Sequence, residues 1–263
     1  MKKNKKQYFV AVDIGNSMVS IGLFDRFKLV QREALPALSV SRKKVLSVLR
    51  KWMKNRLSSL REAVISSVNK PRQASVISAF RETGIKAFSL KEVADKAIFR
   101  KYSSFSKLGE DRIANIYYCL HFLRCPSVVF DIGTALNVDV FDGRHYAGGY
   151  IISGPEMERD ALQAKARGTR LKKKILFIPS LHRPGLCTAE CIQRGILISK
   201  ESFVEGCVKA VKSSLQKRSV AVVLTGGNWR MLKDLAVFDI VDIGVTLKGL
   251  VAALILKKFS MQG

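Results

Sequence analysis

Residues 9–24, FVAVDIGNSMVSIGLF, and residues 127–141, SVVFDIGTALNVDVF, decide how this chain is read. Each is an apolar strand rich in β-branched residues, a turn opened by Asp-Ile-Gly with a small polar residue after it, and a second strand. Asp-Ile-Gly alone recurs by chance. Its recurrence inside matching strand–turn–strand settings, about half a chain apart, points to two duplicated lobes.

Outward from these stretches, strands alternate with helices. Residues 41–60 form a basic helical region whose apolar face holds Val45, Leu46, Val48, Leu49 and Trp52. Residues 63–67 read as a strand, 71–83 as a helix and 85–89 as a short strand, and a helix starting near Asp111 closes the first lobe. In the second lobe, residues 146–152 continue the sheet, while 156–167 and 189–212 are helical. A buried strand at 220–224, a helix opening at Trp229 and a final helix at 245–259 complete it. This order predicts an α/β fold with a mixed sheet in each of two lobes, residues 1–125 and 126–263.

With 263 residues, 48% of them hydrophobic, and only 6 Pro, the chain can bury a substantial core and is neither disordered nor collagen-like. Lys and Arg number 46 against 21 Asp and Glu, a formal charge of +25, which bears on polyanionic partners and solubility and not on fold. Cys119, Cys125, Cys187, Cys191 and Cys207 are scattered and show no CxxC pair, so buried thiols in a reducing compartment are expected rather than zinc or disulfides. The basic tail at residues 1–6 has no apolar export segment, and the apolar run 250–256 is far shorter than the roughly 20 residues that span a bilayer. A cytoplasmic protein without a membrane partner is the expectation.

Asp13, Ile14, Gly15, Asn16 and Ser17 make a turn with two readings. Gly15 lets backbone approach a ligand, Asn16 and Ser17 add donors that suit phosphate oxygens, and Asp13 beside phosphates makes sense as a Mg²⁺ ligand. The same residue types are common in plain hairpin turns. Asp131, Ile132, Gly133 and Thr134 repeat the pattern, and the pair together favours phosphate binding. Thr225, Gly226, Gly227 and Asn228 form a Gly-rich turn that suits either a phosphate or a structural bend. At Gly109, Glu110, Asp111 and Arg112, Asp111 caps a helix or accepts the proton of a substrate hydroxyl, while Arg112 grips an anion.

In order and spacing, the segments 13–17, 108–112, 131–135, 148–149 and 225–227 resemble the motifs of type III pantothenate kinases, and the likeness runs from about Tyr8 to the final helix. The resemblance implies two ribonuclease-H-like lobes, each a mixed five-stranded sheet with flanking helices, as in the actin, sugar-kinase and Hsp70 superfamily. It implies a homodimer that uses ATP with Mg²⁺ to phosphorylate pantothenate in the first step of coenzyme A synthesis. Carried over residue by residue, Asp13, Ile14, Gly15, Asn16, Ser17, Met18, Val19 and Ser20 become the first-lobe ATP loop, and Thr134 the second-lobe ATP contact. Asp111 becomes the general base, and Tyr102, Gly109, Glu110, Arg112 and Thr188 line the pantothenate. Asp131 becomes the ligand of a monovalent cation, K⁺ or NH₄⁺.

The chain departs from the family pattern at Leu136 and Asn137, at Ser153-Gly154, at residues 169–173 and at Arg194. An alternative is a catalytically weakened homologue with a regulatory or nucleic-acid-binding role, suggested by the +25 charge. Its basic runs, residues 2–6, 42–61 and 167–174, would have to form one face, and solvated basic surfaces are the favoured reading.

Overall fold

In the computed structural model, which describes residues 7–54, 60–165 and 183–260, the first decisive stretch folds as strand β1 (Tyr8–Ile14) and strand β2 (Met18–Asp25). They pair antiparallel, with Asp13 opposite Ser20. β3 (Lys28–Pro36) adds to β2 as an antiparallel edge strand that sequence reasoning missed, because its solvated surface leaves it no apolar alternation. The chain then forms helix α1 (Arg42–Met53), β4 (Leu60–Ser67), α2 (Lys70–Thr83), β5 (Lys86–Ser89), α3 (Leu90–Val93) and α4 (Glu110–Tyr118). β4 joins β1 in parallel and β5 joins β4 in parallel, giving the order β3-β2-β1-β4-β5.

The second stretch folds as β6 (Ser127–Ile132) and β7 (Ala135–Phe141), followed by β8 (Tyr146–Ser153), α5 (Pro155–Lys165), α6 (Thr188–Ser214), β9 (Ala221–Thr225) and β10 (Ile240–Val241). Its order is β10-β9-β6-β7-β8, with β6-β7-β8 antiparallel and β9 parallel to β6. The two sheets share one topology, so the duplication legible in two short stretches extends to every strand. The expected helix at Trp229 is a 3-10 turn of three residues, Trp229–Met231, and the two-residue β10 was too short to announce itself.

Contacts divide the chain into two units, Met1–Arg124 with Gly244–Gly263, and Cys125–Ile243. The closing helix α7 (Val245–Ser260) therefore packs with the first unit. α7 approaches α4 so closely that a Cβ on Gly249 would overlap the Ala114 carbonyl, and Lys258 stands 5.3 Å above the Phe9 ring.

In the first unit both faces of β1 are covered. Val10, Val12 and Ile14 join Val45, Leu49, Trp52, Val76 and Phe80 in one core cluster, while Phe9 and Ala11 are buried on the other face. A continuous apolar run is what a strand buried on both faces requires. α1 buries Val45, Leu46, Leu49 and Trp52. At roughly 1.5–3 kcal/mol for each large apolar side chain, that seam outweighs the roughly 1 kcal/mol of its N-cap, Ser41 Oγ accepting the Lys44 N–H at 3.4 Å. α2 starts at Asn69, which accepts the Arg72 N–H, and stops at Gly84, whose φ of 70° a residue with a Cβ rarely adopts.

In the second unit the corresponding cluster holds Val128, Phe130, Val138, Val204, Val208 and Leu224. Cys119 and Cys207 are buried as expected, but Cys187 and Cys191 are exposed. They occupy the N-cap and first turn of α6, ahead of the stretch from Arg194 onward where that helix becomes buried. Among the described residues, no helix is long and apolar enough to cross a membrane. The basic runs at residues 2–6 and 167–174, and the departure at 169–173, lie outside the described residues.

Candidate active site

Asp13 interrupts the apolar run of β1 one residue before it ends. By the alternation of a strand its side chain lies on the face of Phe9 and Ala11. Ser66, its register neighbour on β4, donates from Oγ to Asp13 Oδ1 at 2.6 Å. The next residue, Ser67, donates its backbone N–H to Glu110 Oε2 at 2.9 Å. Two adjacent serines at the end of β4 thus hold one carboxylate from β1 and one from the first turn of α4. Asp111 follows directly, and its Oδ1 accepts the Arg112 N–H at 2.9 Å.

Gly109, the N-cap of α4, contributes no side-chain cap. A Cβ on Gly109 would overlap Asp111 Oδ1, so the carboxylate folds back over a residue with no side chain. Asp111 is therefore not the cap of α4, whose N-cap is Gly109; it lies in the first turn, where one of its oxygens accepts the neighbouring backbone N–H. A helix N-terminus favours the negative charge of both acids.

Burial raises the pKa of all three carboxyls. Asp13 reaches about 6: burial outweighs the Ser66 hydrogen bond, the charge of Asp111 adds to the rise, Arg32 opposes it, and Glu110 adds a little more. Burial pushes Glu110 up against the Ser67 N–H and the charge of Lys91. Burial also raises Asp111, opposed by the Arg112 N–H and then by the Arg112 guanidinium. Clustered, desolvated carboxyls with specific partners characterise a site of proton transfer or cation binding.

The remaining predicted residues of the first unit fall into distinct settings. Ile14 and Val19 turn into the core, leaving only their backbone for a ligand, whereas Asn16, Ser17 and Met18 are exposed. Gly15 closes the turn by donating its N–H to the Met18 carbonyl at 3.0 Å. Arg112 is buried on α4, and Tyr102 is half-buried in the segment before it. Sequence reasoning missed Ser66 and Arg32. The polar pair closing an apolar strand at residues 66–67 was a signal for the first. Nothing marked Arg32 while β3 itself went unseen.

Asp131 of the second unit occupies the same topological position as Asp13. Its register neighbours are Thr225 on β9 and Asn137 on β7, where Asp13 has Ser66 and Ser20. Gly226 has a φ of 97°, and a Cβ there would meet the Ile132 backbone and come within 2.6 Å of Asp131 Oδ1. The Gly-rich turn thus brings its backbone against the carboxylate. Asn228 donates its N–H to the Ile132 carbonyl at 2.9 Å and its side-chain amide to Glu156 Oε2 at 2.7 Å. Thr134 is exposed at the β6–β7 turn, its carbonyl accepting the Gly154 N–H at 3.0 Å. Thr188 is exposed in the first turn of α6.

The departures from the family pattern acquire structural accounts. Leu136 is buried in the core cluster, away from the Asp131 face. Ser153 donates to Glu158, which also pairs with the buried Lys200, while a Cβ on Gly154 would overlap the Gly133 and Thr134 carbonyls. Arg194 ties the entry of α6 together: its Nη1 donates to the Arg183 carbonyl at 2.7 Å and to the Pro184 carbonyl, and its Nη2 to Glu190 at 2.9 Å.

Among the described residues no group of three or more His, Cys, Asp or Glu could by itself hold a metal ion. The donor set still fits Mg²⁺. This ion is commonly held by one or two carboxylates, with waters and substrate phosphates completing its shell, and Asp13 supplies such a carboxylate.

A sequence profile of the family described as type III pantothenate kinase matches residues 9–210. The type III pantothenate kinase of Thermus thermophilus is 31% identical over 254 residues, covering 92% of this chain and 96% of its own. Among solved structures, a conserved Baf family protein from Campylobacter jejuni superposes with a TM-score of 0.60 at 17% identity, covering 95% of this chain and 99% of its own. The ROK hexokinase of Thermus thermophilus superposes with a TM-score of 0.53 at 14% identity, covering 97% and 100%. These structural likenesses show the fold, that of the actin-like ATPases and sugar kinases.

Proposed function

We propose a phosphoryl-transfer mechanism on one premise: the chain belongs to the type III pantothenate kinase family. Its activity is the ATP-dependent phosphorylation of pantothenate to 4′-phosphopantothenate, which opens coenzyme A biosynthesis, and its co-substrate is ATP with a divalent metal.

Asp111 is the general base. It takes the proton of the pantothenate hydroxyl as that oxygen bonds to the γ-phosphorus; the bond from the γ-phosphorus to the β–γ bridging oxygen breaks, and ADP leaves. Phosphoryl transfer needs positioning and charge compensation more than covalent help. The observation that supports this assignment is the Asp111 carboxyl, which is desolvated, fixed through one oxygen and raised in pKa, so that it is basic enough to take a proton in the transition state. Arg112 offers a guanidinium for the pantothenate carboxylate, with Tyr102 and Thr188 as further substrate contacts. Residues 13–20 and Thr134 hold the phosphates through backbone N–H groups and hydroxyls. Mg²⁺ on Asp13 would neutralise charge between the phosphate oxygens.

Asp131 is assigned to the monovalent cation, K⁺ or NH₄⁺, with a homodimer in the cytoplasm as the working form. Purified protein supplied with ATP, Mg²⁺, K⁺ and pantothenate is expected to release ADP and form phosphopantothenate. Asp111→Asn should lower turnover by at least about 100-fold. Turnover surviving that substitution would remove Asp111 from the role of base, and replacing K⁺ by Na⁺ without effect would remove the cation from Asp131.

A further inference from the structure

The segment assigned to the phosphates, residues 13–20, contains no Lys or Arg. A nucleoside triphosphate brings several negative charges to it, and Asp13 adds another. The fold delivers a cation from a different strand. Ala34 of β3 pairs in register with Ser20, Arg32 stands two residues along on the same face, and Ser20 pairs with Asp13. Register neighbours project to one side of a sheet, so Arg32, Ser20, Asp13 and Ser66 line one face across four strands.

Arg32 is exposed, and its Nη2 donates to Ser20 Oγ at 3.4 Å, a long bond to a neutral hydroxyl. The acid beside it in sequence does not neutralise it. Glu33 projects to the opposite face and pairs with Lys51 of α1 at 3.7 Å.

We infer that Arg32 grips the phosphate chain of the nucleotide, its guanidinium donating paired N–H bonds to phosphate oxygens seated at residues 13–20. This role presupposes the nucleotide of the kinase reading above and adds a determinant of nucleotide affinity to it. The planar fork of a guanidinium matches two phosphate oxygens at once, which an ammonium does not. The Ser20 contact orients the side chain before the ligand arrives and reduces the cost of ordering it.

The test displaces a methylanthraniloyl-ATP probe with MgATP, inorganic tripolyphosphate or adenosine, on wild type, Arg32→Ala and Arg32→Lys, beside steady-state kinetics. Arg32→Ala should bind ATP and tripolyphosphate about tenfold more weakly, equal to about 1.4 kcal/mol, with adenosine binding and the KM for pantothenate unchanged. Arg32→Lys should fall between the two. An unchanged melting temperature identifies the loss as local. Wild-type affinity of Arg32→Ala for ATP and tripolyphosphate overturns the role, and so does an equal loss for adenosine. Arg32-dependent tripolyphosphate binding in a protein that leaves pantothenate untouched would remove the kinase reading alone. A wild type with no affinity for ATP removes both.

Discussion

The Asp111 carboxylate occupies the space that a side chain on Gly109 would need, because a Cβ there would overlap Asp111 Oδ1. A glycine at the N-cap of α4 is therefore a condition for the position of the proposed base, not for the helix, which draws no side-chain cap from it. Gly109→Ala should displace the carboxylate while leaving the core intact. The expected result is a fall in kcat of about 100-fold, the cost of misplacing a reacting group by about 1 Å, with the melting temperature held within a few degrees.

Asp13 links stability to pH. Its pKa rises from 3.8 in the unfolded chain to about 6 in the fold, so the fold binds that proton more tightly. The stability it contributes is complete below pH 3.8 and is lost as pH rises through about 6. Asp13→Asn keeps an oxygen for the Ser66 hydroxyl and carries no charge. Thermal melts of the metal-free protein should show Asp13→Asn more stable than wild type above pH 6 by about 1–3 kcal/mol, at about 1.4 kcal/mol per pKa unit. Catalysis should be lost in the same variant, and Mg²⁺ binding to wild type should strengthen as pH rises through that range.

Glu110 closes the end of β4 onto α4. With Glu110→Ala the Ser67 N–H loses its acceptor, for about 1–2 kcal/mol of stability. Loss of its charge also lowers the Asp13 pKa slightly, so the pH profile of Mg²⁺ binding should move down in pH. A profile that does not move would show the two carboxyls to be uncoupled.

Gly226 and Gly227 stand side by side and should respond differently. Gly226 combines a φ of 97° with backbone atoms of Ile132 where a Cβ would go, whereas a Cβ on Gly227 meets nothing within 4 Å. Gly226→Ala should cost several kcal/mol in chemical denaturation or leave the protein insoluble, and Gly227→Ala should stay within about 0.5 kcal/mol of wild type. Equal effects would refute the close approach of that turn to Asp131.

Much of this protein follows from local pattern. β1, β2, β6 and β7 announce themselves because buried strands must be apolar and their turns must be small, and α1 and α2 because a buried seam repeats with the helical period. Asp13, Asp111 and Asp131 stand out for the complementary reason: a carboxylate inside such an element is costly to bury unless it has work to do. Tertiary structure alone decides who meets them. Ser66 reaches Asp13 across 53 positions of sequence, Ser67 reaches Glu110 across 43, and Arg32 arrives from an edge strand that has no fully buried residue and so carries no clear periodic signal. Strand register sets those encounters, and register depends on the packing of the whole sheet, a long-range property that no single stretch of residues encodes.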